Sequence, residues 1–211
     1  MKQLINNLIL SLILVCLAFY TVQAQHSSHD AAHEHQTLKA QSVDSGHSLY
    51  HLQDEWTTHR SESISLSDFS GDMLILVMFY GNCTDVCPIL IQDAWRLYRS
   101  LDPSIRENVQ VAAVSFDYVN DTPDVLNDYA QREGIDLPNW HLLTGERSSI
   151  RRLAMMLGVQ YRERSDGMFE HSNLVTVLDT KGQIGKRIEG LGQPMEEASA
   201  YIKSVYETGE K

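Results

Sequence analysis

The sequence predicts an α/β sandwich: a mixed β-sheet with helices on its faces and an antiparallel hairpin near the C-terminus. Three observations carry this. Met73–Phe79 is an unbroken apolar run, as a strand buried on both faces requires. Leu90, Ala94, Leu97 and Leu101 follow it at helical spacing over residues 89–101. Strand and helix patterns then alternate until Asp179-Thr180-Lys181-Gly182, a tight-turn signal between two further strands.

The N-terminus reads as a processing segment. Lys2 is the only charge among residues 1–24, residues 8–19 are mostly apolar, and Val22-Gln23-Ala24 ends in the small residue signal peptidase needs. Cleavage is expected after Ala24. An uncleaved membrane anchor is the rival, although residues 8–22 are short for a span unless Leu4 and Ile5 extend it. Lipidation at Cys16 is disfavoured by the bulk of Val15. Residues 25–48 hold Leu38 and Val43 but no Ile, Phe, Tyr or Trp, so a disordered, His-rich linker is expected.

The thioredoxin-like unit is expected over residues 49–211. A short strand pair is placed within residues 50–66, followed by the strand at Met73–Phe79 and the helix over 89–101. Residues 109–116 read as a second buried strand. Thr122-Pro123-Asp124 starts a helix, with Thr at the N-cap, Pro at the first position and an acid in the first turn. Val125, Leu126, Tyr129 and Ala130 form its apolar side. Residues 140–143 are a short strand, and the helix over 148–157 stops at Gly158. Strands at 174–178 and 183–188 flank the turn, and residues 195–207 close the chain as a helix. The order implies parallel strands first and an antiparallel hairpin last, a thioredoxin-like sandwich in a mixed sheet without internal repeats.

Composition narrows the function. The chain has 211 residues, 43% of them hydrophobic, so it can bury one sizeable core without staples. The net charge of -11 argues against nucleic acid, which calls for a basic patch. Losing residues 1–24 removes Lys2 and Cys16, which leaves a net -12 and two cysteines in an oxidising compartment.

Those two are Cys83 and Cys87, in Cys83-Thr84-Asp85-Val86-Cys87-Pro88 directly after the apolar strand. Pro88 is harmless only in a helix's first turn, so the N-cap is expected near Asp85 or Val86. Both sulfurs can then face one solvent-accessible mouth, where the helix N-terminus favours thiolate. Two thiolates so placed can hold a soft metal such as Cu(I), cycle between dithiol and disulfide, or form an inert disulfide. The inert use is weakened by position, because this junction is where such sheets place sites. A disulfide closing so short a loop also gains little chain entropy. Three intervening residues, rather than two, relax the pair towards chelation.

Two thiolates leave Cu(I) short of a trigonal set, and imidazole or thioether would complete it. Beyond the cysteines lie His141, which starts a strand and reads as structural, and His171, in Glu170-His171-Ser172-Asn173 before the strand at 174–178. The start of that strand faces the cysteine loop in a thioredoxin-like sheet.

At this point the residues match a family. Phe79-Tyr80-Gly81-Asn82-Cys83-Thr84-Asp85-Val86-Cys87-Pro88, Ser115-Phe116-Asp117, Asn120-Asp121-Thr122-Pro123, Leu143-Thr144-Gly145, His171-Ser172-Asn173 and Leu178-Asp179-Thr180-Lys181-Gly182 together resemble the Sco/SenC family over roughly residues 50–205. These are thioredoxin-fold copper proteins of cytochrome c oxidase assembly. The resemblance implies copper, Cu(I) or Cu(II), bound by Cys83, Cys87 and His171. It also implies delivery of copper, or of reducing equivalents, to a copper-site subunit of a terminal oxidase or another copper enzyme. The chain departs from the family in Glu170 before His171 and in Tyr118 after Asp117. The family is usually membrane-anchored, whereas a cleavage site is read here. The prolines are 88, 103, 123, 138 and 194; none adjoins His171, where thiol reductases of this fold carry a cis-proline.

Several residues are secondary candidates. His26, His29, His33 and His35 are expected to capture metal weakly. Asp117, at a strand end, is placed beside the site as a supporting group, with a simple turn role as the alternative. Met78, Met155 and Met156 read as core filler, and Met168 as a solvent-facing extra ligand. Arg147, Arg151 and Arg152 form a wet helix face able to steer an acidic partner. The leading expectation is a monomeric, periplasmic copper chaperone rather than an enzyme. Its membrane association, if any, runs through the N-terminus. A thiol–disulfide oxidoreductase, with Cys83 and Cys87 catalytic, is the runner-up. A peroxidase is disfavoured because Cys83 lacks a Pro-rich, Arg-assisted setting.

Overall fold

The apolar run at Met73–Phe79 forms the strand β3, every residue of it buried. In the computed structural model, which describes residues 38–44 and 46–209, seven strands build one sheet. They are β1 (Glu55–Thr58), β2 (Ser63–Ser65), β3, β4 (Val109–Ser115), β5 (Trp140–Gly145), β8 (Leu174–Leu178) and β9 (Ile184–Glu189), in the order β2-β1-β5-β4-β3-β8-β9. β3, β4 and β5 run parallel, and β8 lies antiparallel to β3 with Leu76 opposite Thr176. β8 and β9 form the expected C-terminal hairpin, its turn held by Asp179 Oδ1 accepting from the N–H groups of Lys181 and Gln183 at 2.9 and 2.8 Å. The mixed sheet and flanking helices are those of a thioredoxin-like fold.

The helices start and stop where their capping residues dictate. α1 (Val86–Arg99) packs against β3, β4 and β8, and buries Leu90, Ile91, Ala94 and Leu97. A single turn, α2 (Pro103–Arg106), separates it from β4. α3 (Pro123–Glu133) has Thr122 at its N-cap, accepting from the Val125 N–H at 3.4 Å, and packs on β5. α4 (Arg147–Leu157) ends at Gly158 in the left-handed region, φ 71°. α5 (Glu196–Thr208) packs on β9. Among the described residues, no helix is long and apolar enough to cross a membrane.

Two features depart from the expectations. A separate two-stranded sheet, β6 (Tyr161–Glu163) with β7 (Phe169–His171), was not read from the sequence. Three-residue strands of mixed polarity are too short to show a period, although Asp166-Gly167 at the turn is a hairpin signal, with Gly167 at φ 79°. The second departure lies at residues 38–48. Ala40 and Val43 pack against the core, the Ala40 N–H donates to Glu189 Oε1 at 2.7 Å, and the Gln41 N–H donates to the Gly158 carbonyl at 2.7 Å. The folded unit therefore begins N-terminal of Leu49, because backbone hydrogen bonds replace the apolar content this stretch lacks. The expected signal segment 1–24, Cys16, and His26, His29, His33 and His35 all lie outside the described residues.

Candidate functional site

β3 leads into a tight turn in which the Cys83 N–H donates to the Tyr80 carbonyl at 3.3 Å. α1 begins at Val86 with Asp85 at the N-cap, as the position of Pro88 predicts. Cys83 thus stands outside the helix and Cys87 within its first turn. The Cys83 sulfur accepts from the Cys87 N–H at 3.3 Å, so it takes up one of the backbone donors that a helix start leaves without a partner. Both residues are free thiols.

The expected solvent-accessible mouth is not found. Cys83 is 6% exposed and Cys87 0%. Tyr80 stands beside them: its hydroxyl meets Met168 Sδ at 3.8 Å, and its ring packs on Phe169 at 5.2 Å. Met168, expected to face solvent, is half-buried because of this contact.

His171 ends β7, and the structure brings it to the cysteines. Its Nε2 lies 3.3 Å from Cys87 Sγ. Its Nδ1 faces the Ser172 carbonyl at 3.1 Å. A carbonyl only accepts, so Nδ1 carries a proton and Nε2 is the atom turned to the sulfurs. Phe116 packs on the imidazole at 5.1 Å and Tyr80 meets it edge-on at 6.2 Å, which leaves the ring 3% exposed.

The two sulfurs differ electrostatically. Hydrogen bonding from Cys87 pulls the Cys83 pKa well below that of an ordinary thiol, against burial, with help from His171 and the N–H groups of Cys87 and Asp85. Cys87 moves the other way, raised first by burial and then by its hydrogen bond to, and the charge on, Cys83. Among the described residues, no three His, Cys, Asp or Glu side chains already stand in metal-binding geometry. Instead, the Cys87 sulfur meets the imidazole and the Cys83 sulfur takes the Cys87 N–H.

Asp117 is buried and caps the turn after β4, its carboxylate accepting from Asn120 N–H at 3.0 Å and Asn120 Nδ2 at 2.8 Å. Among the described residues it makes no hydrogen bond with the cysteines; the carboxylate that reaches their loop is Asp121, whose role is not evident from its place before a helix. Its Oδ2 accepts from the Gly81 N–H at 2.8 Å and from the Ser115 hydroxyl. Asp121 is 1% exposed, and burial raises its pKa. The signal for it lay in Asn120-Asp121-Thr122-Pro123, where the helix-start reading absorbed it. His141 is structural, its Nε2 paired with Gln110 Oε1 at 3.0 Å. Met78 is core, but Met155 is 69% exposed, because it lies on the side of α4 opposite Leu153, Ala154 and Leu157.

With this geometry in view, the likenesses to known proteins are consistent. The chain is 24% identical over 150 residues to the SCO1 protein homolog of Bacillus subtilis, covering 68% of this chain and 76% of that one. It spans 64% and 49% of two other curated relatives at the same identity. The solved structure of a SCO1/SenC family lipoprotein from Bacillus anthracis superposes with a TM-score of 0.67 at 22% identity, over 75% of this chain and 96% of that one. ScoI of Bradyrhizobium japonicum, solved with copper bound, gives 0.58 at 21%, over 72% and 96%. The SCO1/SenC family profile matches residues 45–207, which takes in β1 through α5 and both sides of the Cys–His cluster, and the chain belongs to that family.

Proposed function

We propose that the protein is an exported metallochaperone that binds one copper ion through Cys83, Cys87 and His171 and passes it to a copper site of a respiratory oxidase. The observation that carries this reading is the convergence of His171 Nε2 on the buried sulfur pair, with Nδ1 tied to a backbone carbonyl. Metal-binding histidines are held in this way by the nitrogen they do not use. Two thiolates and an imidazole are a soft set, suited to copper in its reduced state. The copper-bound relative supports the choice of metal, and family membership supports the recipient class. In this reading copper is cargo; Tyr80 and Phe116 hold the imidazole and keep water from the sulfurs.

Anaerobic Cu(I) titration of residues 25–211 against a competing chelator tests it. One equivalent should bind, and binding should collapse in Cys83→Ala, Cys87→Ala and His171→Ala. Deleting residues 25–37 should leave the site intact. Wild-type affinity in His171→Ala refutes the three-donor set. The adjacent free thiols favour one second reading, a thiol–disulfide oxidoreductase acting on the cysteines of a copper-site protein. Weak copper binding together with catalytic reduction of a protein disulfide would establish that reading instead.

A further inference from the structure

A groove of about 690 Å³ runs between α4 and the β6–β7 hairpin. Its aromatic lining is the cluster that packs on His171: Tyr161 stacks on Phe116 at 4.6 Å, and Phe169 lies 6.2 Å from Phe116. Its rim holds Tyr118 and Met155, 43% and 69% exposed, two of the few large apolar side chains left to solvent. Arg147, Arg151 and Arg162 also line it. Arg162 is paired with Glu170 at 2.5 Å, and Glu163 adds one acidic group to the lining.

Arg147 and Arg151 are placed against their own electrostatics. Arg147 is the first residue of α4, where the helix dipole opposes a cation. Arg151 lies four residues on, a like-charge spacing that destabilises a helix. Among the described residues, neither has a carboxylate partner, whereas Arg152 next to them is paired with Asp54 at 2.7 Å. Arg147 and Arg151 both line the same groove as Tyr161 and Phe169. In a chain of net charge -11, this leaves an apolar-floored groove with two cations that have no carboxylate partner among the described residues.

We infer that this groove docks an acidic segment of a partner protein, one that alternates carboxylates with apolar side chains. Carboxylates would meet Arg147 and Arg151, the apolar residues would cover Met155 and Tyr118, and the partner would be held beside the Cys–His cluster. The inference stands apart from what that cluster carries.

The test is fluorescence anisotropy on metal-free protein lacking residues 1–24. The probe is a dye-labelled peptide alternating glutamate with leucine and phenylalanine, and the control replaces glutamate by lysine. The acidic peptide should bind about tenfold tighter than the basic one and weaken as salt screens the pair. Arg147→Glu/Arg151→Glu should lose about tenfold, and Arg151→Gln, on an exposed position, should lose a smaller factor with an unchanged urea midpoint. Equal binding of the two peptides, or no loss in either variant, overturns the inference. So does self-association that the double variant abolishes, which would assign the groove to a second copy. Sedimentation with phosphatidylglycerol vesicles in place of peptide binding would assign it to a membrane surface, and would equally overturn it.

Discussion

Replacing Gly81 by alanine probes the join between the cysteine loop and the Asp121 carboxylate. A Cβ built on Gly81 would lie 2.8 Å from Asp121 Oδ1, closer than such atoms approach, and 3.5 Å from Oδ2. The carboxylate cannot swing aside freely, because Oδ2 is held by the Gly81 N–H at 2.8 Å and by the Ser115 hydroxyl. Overpacking of this kind costs about 1–3 kcal/mol, and weakening a hydrogen bond to a buried carboxylate costs about as much. The expected loss is therefore about 2–4 kcal/mol. In a domain of this size that lowers the melting temperature by roughly 4–16 °C. Urea unfolding of the reduced, metal-free protein reads it as a shifted midpoint with unchanged slope. In an Asp121→Ala background the obstacle is gone, so the same change should cost less than about 1 kcal/mol there. A loss below about 0.5 kcal/mol in the parent, or equal losses in both backgrounds, would refute the reasoning.

Three further outcomes are expected. Gly158→Ala places a Cβ 2.3 Å from the Gln41 carbonyl at φ 71°, so residues 38–44 should detach from α4, seen as faster amide exchange at Gln41 and a loss of about 2 kcal/mol or more. Burial, followed by the charges of Arg60 and His59, pushes the His141 pKa down to about 4; the unfolded chain then binds the extra proton, so stability falls as pH drops from about 6.5 towards 4, and His141→Gln should flatten that limb in urea midpoints measured against pH. Arg152→Ala leaves buried Asp54 without its two-pronged partner, Nε and Nη2 at 2.9 and 2.7 Å, and should lower the melting temperature by several degrees at neutral pH. Because Arg152 lowers the Asp54 pKa, the deficit should shrink as acid protonates that carboxylate.

Much of the fold was legible because local chemistry and tertiary packing agree. The bounds of β3, the N-cap at Thr122, the stop at Gly158 and the turn at Asp179 each follow from one or two residues that act on their own backbone. The convergence of Cys83, Cys87 and His171 was legible too, through the position of the pair after a buried strand and the family's motif pattern. What escaped depends on neighbours distant in sequence. The depth of the sulfurs comes from their packing beside Tyr80, and no period in residues 80–88 reveals that. Asp121 reads as an ordinary residue before a helix until the fold sets it against Gly81. Residues 38–48 read as linker because they lack bulky apolar side chains, and the backbone bond from Gln41 to Gly158 leaves no mark on composition. Met155 sits in an apolar string and yet faces outward, because α4 reserves its inner face for Ile150, Leu153, Ala154 and Leu157.

The imidazole and the sulfur it approaches are 84 residues apart along the chain. Between them come two parallel crossovers, and the strand that follows the imidazole must pair with β3 before the ring can reach the loop. Bringing such remote partners together is slow, because the intervening chain must be ordered before the contact repays it. The cluster therefore waits on the pairing of β8 with β3. Without that pairing the two thiols lack the imidazole, whereas the folded chain presents all three groups together, already shielded. A complete set of three groups at the site thus reports that the sheet behind it has closed.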